Sequence, residues 1–186
     1  MKKVLVPLAP GFEEIEAITV IDILRRAGVQ VTAAGTVAGP IIASRQTRHL
    51  ADCTLDEVRA DDFDMLVLPG GQPGTNNLRA DPRIRQIIEV LRAKQRPVAA
   101  ICAAPTVLSA SGVLAGRTVT SHPSVRDALT AARYSDDRVV VDGPVITSRA
   151  AGTAMEFAFK LVEILCSPAK VAEVNQGVLA RLETSS

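Results

Sequence analysis

The sequence predicts an α/β domain whose mostly parallel sheet is covered by helices on both faces. Short, near-continuous apolar runs recur along the 186 residues, as at positions 4–8, 64–68 and 98–101. Such runs suit strands buried on both sides. Stretches of helical periodicity separate them, and Gly or Pro marks most of the junctions. Strands joined through helices imply right-handed crossovers, hence parallel pairing.

Each element follows from its residues. Residues 4–8 form the first strand, which Ala9-Pro10-Gly11 breaks. A helix follows over about 13–27, with Ile15, Ile18, Ile21, Ile23 and Leu24 largely at helical spacing and Gly28 as its stop. Residues 29–34 are the next strand. Gly39-Pro40 opens a hairpin built from Ile41-Ile42 and the segment near Leu50. The strand at 64–68 ends sharply at Pro69-Gly70-Gly71. Asp81-Pro82 starts a helix reaching about Lys94, with Pro in its favoured first turn. The strand at 98–101 runs into Cys102, and residues 103–110 read as helix. Residues 117–121, 138–141 and 145–148 are further strands, and helices at about 153–166 and 169–182 close the chain. No repeat, low-complexity tract or linker divides the sequence, so one domain is expected over 1–186.

Composition narrows the function classes. Aromatic residues make up only 3% of the chain, with no Trp, which argues against base-stacking platforms. The 21 basic and 20 acidic residues are interspersed, and no basic stripe points to nucleic acid or an anionic membrane. The first apolar stretch is too short for a secretion signal, and no run approaches the ~18 apolar residues of a membrane span. Three cysteines, at 53, 102 and 166, match neither a disulfide framework nor a metal spacing. A reducing, cytoplasmic setting is expected.

In such sheets, ligands bind beyond the carboxyl ends of the strands. No Walker loop or dinucleotide fingerprint is present. The informative turn is Ala99-Ala100-Ile101-Cys102-Ala103-Ala104-Pro105. Small neighbours allow the tight strand-to-helix turn that displays a nucleophile, and the helix N–H groups favour a thiolate. From spacing alone, a buried structural thiol stands beside the nucleophile reading. Cys53 and Cys166 lack this context. Of the two histidines, His122 follows a strand and precedes Pro123, whereas His49 is placed on the surface of the hairpin. Glu13, Glu14 and Glu16 suit the first turn of a helix. Glu16 lies one helical turn beyond Phe12 and can face the sheet end. Gly70-Gly71 can present backbone N–H groups to an oxyanion.

Five stretches together are similar to a known family: residues 8–16 (LAPGFEEIE), 67–71 (VLPGG), 99–105 (AAICAAP), 120–123 (TSHP) and 147–153 (TSRAAGT). In these the chain resembles the ThiJ/PfpI (DJ-1) superfamily, and its DJ-1-like branch in particular, over essentially its whole length. The resemblance implies a flavodoxin-like, class I glutamine amidotransferase-like three-layer sandwich, usually homodimeric. It also implies Cys102 as the reactive cysteine, Glu16 as its acidic partner, His122 as the site histidine, and Gly70, Gly71 and Ala103 as oxyanion donors. Arg26 and Arg45 fall where relatives place arginines near the dimer interface and pocket.

Some positions depart from the family. Ala103 stands where the PfpI peptidase branch has a His, which weighs against a cysteine peptidase or amidase. Ala43 replaces a cysteine of some animal relatives, and Ala150-Ala151 replace Gly-Pro. The activity implied is cofactor-free and metal-free: glyoxalase-type conversion of methylglyoxal, or the related deglycase reaction, on small reactive carbonyls. The same site also implies an alternative, an oxidative-stress sensor and protein-protecting chaperone that works through Cys102 oxidation. In the enzyme reading Glu16 is protonated and Cys102 has a low pKa.

Overall fold

Side-chain alternation along the strands sorts the apolar residues into two layers. The computed structural model describes residues 1–182. In β1 (Lys3–Leu8), Val4, Val6 and Leu8 enter one core while Leu5 enters the other. In β6 (Met65–Leu68), Met65 and Val67 go to the first side, Leu66 and Leu68 to the second. Period-two alternation with both faces apolar is what a sheet sandwiched between helices requires.

The remaining elements follow in chain order. The first half contains α1 (Glu14–Arg26), β2 (Gln30–Gly35), β3 (Ile41–Ile42), β4 (Arg48–His49) and β5 (Cys53–Thr54). Around β6 and beyond come α2 (Gly74–Ala80), α3 (Pro82–Ala93), β7 (Val98–Ile101), α4 (Pro105–Ala110), β8 (Thr118–Val119) and β9 (Arg133–Tyr134). The chain closes with β10 (Val139–Asp142), β11 (Val145–Ser148), α5 (Ala154–Leu165) and α6 (Pro168–Val178). Seven strands form one sheet in the order β10-β11-β7-β6-β1-β2-β5. Every pairing is parallel except β10 with β11.

One core is built by α1 against α5, with Ile23, Leu24, Phe157 and Leu161 fully or almost fully buried. The other takes Ile84, Ile88 and Leu91 of α3 and Val107 and Leu108 of α4. Fully burying such a side chain contributes about 1.5–3 kcal/mol. This sandwich fixes the carboxyl ends of β1, β6 and β7 side by side. There the chain turns at Ala9, Pro69 and Cys102.

The structure departs from the sequence expectation at several elements, with β5 and β9 among those not expected. The strand read at 117–121 pairs only over Thr118–Val119, with β9, and stays outside the seven-stranded sheet. Side chains take its backbone donors: Thr118 N–H goes to Asp142 Oδ2 at 2.7 Å and Thr120 N–H to Thr147 Oγ1 at 2.9 Å. The last helix stops at Val178, because Leu179 adopts a left-handed φ of 57°. Asn175 secures that end by accepting Ala180 N–H at 2.8 Å. Helix α2 was not expected, since Leu78 is its only large core residue. Residues 183–186 of the expected domain lie outside the described residues.

Candidate active site

Cys102 sits at the junction of β7 and the turn before α4 with a φ of +63°. Left-handed backbone costs a non-glycine residue roughly 1–2 kcal/mol, so surrounding contacts must impose it. Its N–H donates to Ser148 O at 3.0 Å, and its C=O accepts from His122 N–H at 2.8 Å. Both peptide groups of Cys102 are thus clamped between the end of β11 and the segment after β8. The neighbours Ala103 and Ala104 are buried and small enough to let the turn close.

Glu16 reaches the same point from the first turn of α1 and is 1% exposed. Glu13 caps that helix by accepting Glu16 N–H at 2.8 Å. The Oε2 atom of Glu16 accepts Gly70 N–H at 2.8 Å, while Oε1 is buried without a hydrogen-bond donor. The carboxyl group and the Cys102 thiol interact directly.

Burial pushes Glu16 up to about 7, outweighing the Cys102 and Gly70 hydrogen bonds that favour its ionised form. Burial, the facing Glu16 charge and the hydrogen bond to that carboxylate push the Cys102 thiol up to about 12. The N–H groups of Ala103 and Gly71 act in the opposite sense, toward thiolate. The expected low-pKa thiol is therefore not found: burial, the leading cause, raises Cys102 whatever the state of Glu16. Protonating Glu16 removes its charge and turns the acceptor into a donor, so two of the three raising influences vanish. The two groups titrate as a pair.

The three expected oxyanion donors divide their tasks. The Gly70 N–H is spent on Glu16, so it does not face a substrate oxygen. Gly71 and Ala103 direct theirs at the Cys102 sulfur. Gly71 holds a φ of +88°, and a Cβ there would meet Gly11 O at 2.7 Å. Only glycine fits that turn.

His122 is tied to Cys102 through its backbone, and its ring Nδ1 pairs with Ser124 Oγ at 2.7 Å. His49, expected on the surface, is half-buried instead. Its ring meets Phe12 edge-on at 5.2 Å because Thr47 holds Nε2 at 2.7 Å. Arg26 pairs with Asp22 at 2.7 Å, and Arg45 is exposed on the β3–β4 hairpin. Cys53 is half-buried, and burial with Glu57 and Asp52 nearby raises its pKa. Cys166 is exposed at the end of α5.

Sequence reasoning missed Ser148 and Ser124. Ser148 carries no local signal, whereas the His-Pro-Ser spacing at 122–124 is that of a capped turn. A hollow of about 680 Å³ lined by Asp137, Val139, Phe159 and Val171 lies on the α5–α6 side and does not include Cys102. No group of three or more metal-ligating side chains occurs among the described residues. No helix there is long and apolar enough to cross a membrane.

Fold and site together define an α/β sandwich that displays a cysteine at a strand-to-helix turn against a buried carboxyl group. The family model for the DJ-1/PfpI family matches residues 2–164. The chain belongs to the DJ-1/PfpI family. It is 45% identical to protein dj-1beta of Drosophila melanogaster over 181 residues, covering 96% of this chain and 97% of that one. The crystal structure of Drosophila melanogaster DJ-1beta superposes with a TM-score of 0.94 at 44% identity, over 97% and 98% of the two chains. A Caenorhabditis elegans relative named glutathione-independent glyoxalase DJR-1.2 is 41% identical over 172 residues, 91% of each chain. The structure of Toxoplasma gondii DJ-1, oxidized, superposes with a TM-score of 0.93 at 34% identity, over 96% and 98%.

Proposed function

We propose that the protein is a cofactor-independent glyoxalase acting on methylglyoxal-like carbonyls, with the deglycase reaction as its close chemical variant. One observation carries this reading: a strained cysteine whose sulfur faces a buried, high-pKa carboxyl group and two backbone N–H donors. The named glyoxalase among the relatives supports it.

The Cys102 thiolate adds to the aldehyde carbon, and the resulting oxyanion forms one bond from the sulfur, beside the Gly71 and Ala103 N–H groups. Glu16 gives its proton to that oxyanion. As a carboxylate it then takes the C1 proton, and the electrons move onto the C2 oxygen, which His122 stabilises by a hydrogen bond. Glu16 returns the proton to C2 while the C1 hydroxyl proton passes to the C2 oxygen, which leaves a lactoyl thioester on Cys102. Water hydrolyses the thioester to lactate, Glu16 takes one proton and solvent the other, and the thiolate is restored. The aldehyde carbon is oxidised and the ketone carbon reduced, so no external oxidant or reductant is consumed.

Turnover of methylglyoxal by the wild type, Cys102→Ala and Glu16→Gln tests this. Wild-type turnover equal to that of Cys102→Ala would overturn the enzyme reading. In that case the sensor reading takes its place, favoured by partial exposure of Cys102 and the absence of a comparable setting at Cys53. It predicts a gain of two oxygens on Cys102 after peroxide. The working unit is a homodimer, for which α1 supplies part of the surface.

A further inference from the structure

We propose that Ser124 is a positioning residue that locks His122 as an Nε2–H hydrogen-bond donor toward an oxygen of the substrate held on Cys102. The substrate part rests on the glyoxalase reading, while the tautomer part stands on hydrogen-bond geometry alone.

The proton positions follow from what each group is able to do. The Ser124 amide N–H lies 3.2 Å from His122 Nδ1. An amide N–H only donates, so this long contact favours, without alone enforcing, the tautomer in which Nδ1 presents its lone pair. With Nδ1 accepting, the Ser124 hydroxyl 2.7 Å away is a donor that shares the one lone pair with the amide and makes the shorter, dominant bond. A neutral ring with Nδ1 accepting carries its proton on Nε2. That Nε2–H has no hydrogen-bond partner among the described residues.

The backbone that carries the ring is also tied to that of Cys102. His122 N–H donates to Cys102 O at 2.8 Å, and the next residue is Pro123. The preceding carbonyl, Ser121 O, accepts the Tyr134 hydroxyl at 2.9 Å. Arg126 in turn lies 4.6 Å over the Tyr134 ring. The imidazole therefore stands on a frame joined directly to the nucleophile. Acting as a base would need a lone pair on Nε2, which means the opposite tautomer and loss of the Ser124 amide bond. His122 is thus a donor, and moving protons between carbons is left to Glu16.

His49 supplies an internal reference. The Thr47 hydroxyl gives its proton to Glu14 Oε1 at 2.8 Å, so the 2.7 Å contact to His49 leaves Nε2 as the donor there too. That ring packs on Phe12 and shares no hydrogen bond with Cys102.

Long-range proton–nitrogen spectra at a pH where imidazole is neutral read the tautomer directly, with His49→Gln assigning the two rings. The expected wild-type spectrum shows His122 as the Nε2–H form alone. Ser124→Ala keeps the amide donor but loses the hydroxyl, so the Nδ1–H form grows to a measurable fraction, and Ser124→Thr restores the wild-type spectrum. With methylglyoxal, Ser124→Ala lowers kcat about 5–10-fold, the scale of one ordinary hydrogen bond. KM and the alkylation rate of Cys102 stay within about twofold. A wild-type mixture of tautomers, or a Ser124→Ala spectrum identical to the wild type, overturns the proposal. Absence of turnover in the wild type would instead overturn the glyoxalase reading, and the spectra would still judge Ser124.

Discussion

The Gly70 amide donates to Glu16 Oε2 at 2.8 Å, and a Cβ at position 70 would lie 2.7 Å from that same oxygen. It would also lie 2.8 Å from the Cys102 Cβ. The glycine is therefore the spacer that lets the carboxyl group and the thiol meet. Gly70→Ala forces them apart. We expect a stability loss of about 1–3 kcal/mol, the usual cost of overpacking, with Cys102 alkylation and carbonyl turnover at least about tenfold slower. Urea unfolding and iodoacetamide kinetics on the purified variant check both, and unchanged thiol kinetics would refute the spacer role.

Glu16 gives folding stability a pH dependence of defined sign. Its pKa rises from an unfolded value of 4.5 to about 7 in the fold, so the folded chain holds this proton more tightly. The contribution is fully present below pH 4.5 and is lost as pH rises through about 7. The size is about 3 kcal/mol. The stability difference between the wild type and Glu16→Gln should therefore shift by that order between pH 4.5 and 8, against the wild type at the higher pH. Denaturant midpoints at the two pH values measure it, and a constant difference would show that Glu16 ionises normally.

How much of this was readable in the sequence depends on how local each cause is. Cys102 was legible because its small neighbours are adjacent in the chain, and Glu16 because helical spacing aims it at the strand ends. The use of the Gly70 N–H was not, since its acceptor is 54 residues away in sequence. The Ser148 carbonyl that anchors Cys102 is equally silent, because every residue has one. The segment at 117–121 has strand-like residues, but Asp142 and Thr147 reach it from other elements and take the donors that a ladder would use. His49 was read from its polar hairpin, and its ring is drawn inward by Phe12, far earlier in the chain.

Glu14 should anchor the hairpin over the site loop. Burial pushes its pKa up, but hydrogen bonds from Thr47, the helix backbone, Arg45 N–H and Ser44 outweigh this and hold it at about 2. The same hairpin carries the backbone bonds Gly11 N–H to Ile42 O and Ser44 N–H to Phe12 O, both 2.8 Å. A depressed carboxyl group stabilises above its unfolded pKa, and that stability is lost as pH falls toward 2. Glu14→Gln should cost about 1–3 kcal/mol at pH 7. It should also speed tryptic cleavage after Arg45 and Arg48, which mass spectrometry of timed digests would detect. Equal cleavage rates would show that the hairpin holds without Glu14.

The exposed apolar side chains on α1 and β3 should define the subunit contact. Ile15 is 56% exposed, Ile18 41% and Ile42 44%, and Glu14 ties this stretch of α1 to the hairpin. Placing Lys at both Ile15 and Ile18 should turn a dimer into a monomer of 19.6 kDa while leaving the far-ultraviolet spectrum unchanged. Light scattering on the eluting peak decides it, and a dimeric double variant would place the contact elsewhere.

The paired titration of Cys102 and Glu16 has a kinetic signature of its own. Glu16 loses its proton near pH 7, and the charge it gains lies directly against the sulfur. The rate of Cys102 alkylation by a neutral reagent should therefore show a step near pH 7 in the wild type. In Glu16→Gln no charge develops there, so that step should vanish and only the thiol's own ionisation should remain. Cys53→Ser and Cys166→Ser in the background confine the readout to one sulfur. Superimposable profiles for the two proteins would mean that the carboxyl group does not sense the thiol, and the proton exchange assigned to Glu16 in turnover would fail with it.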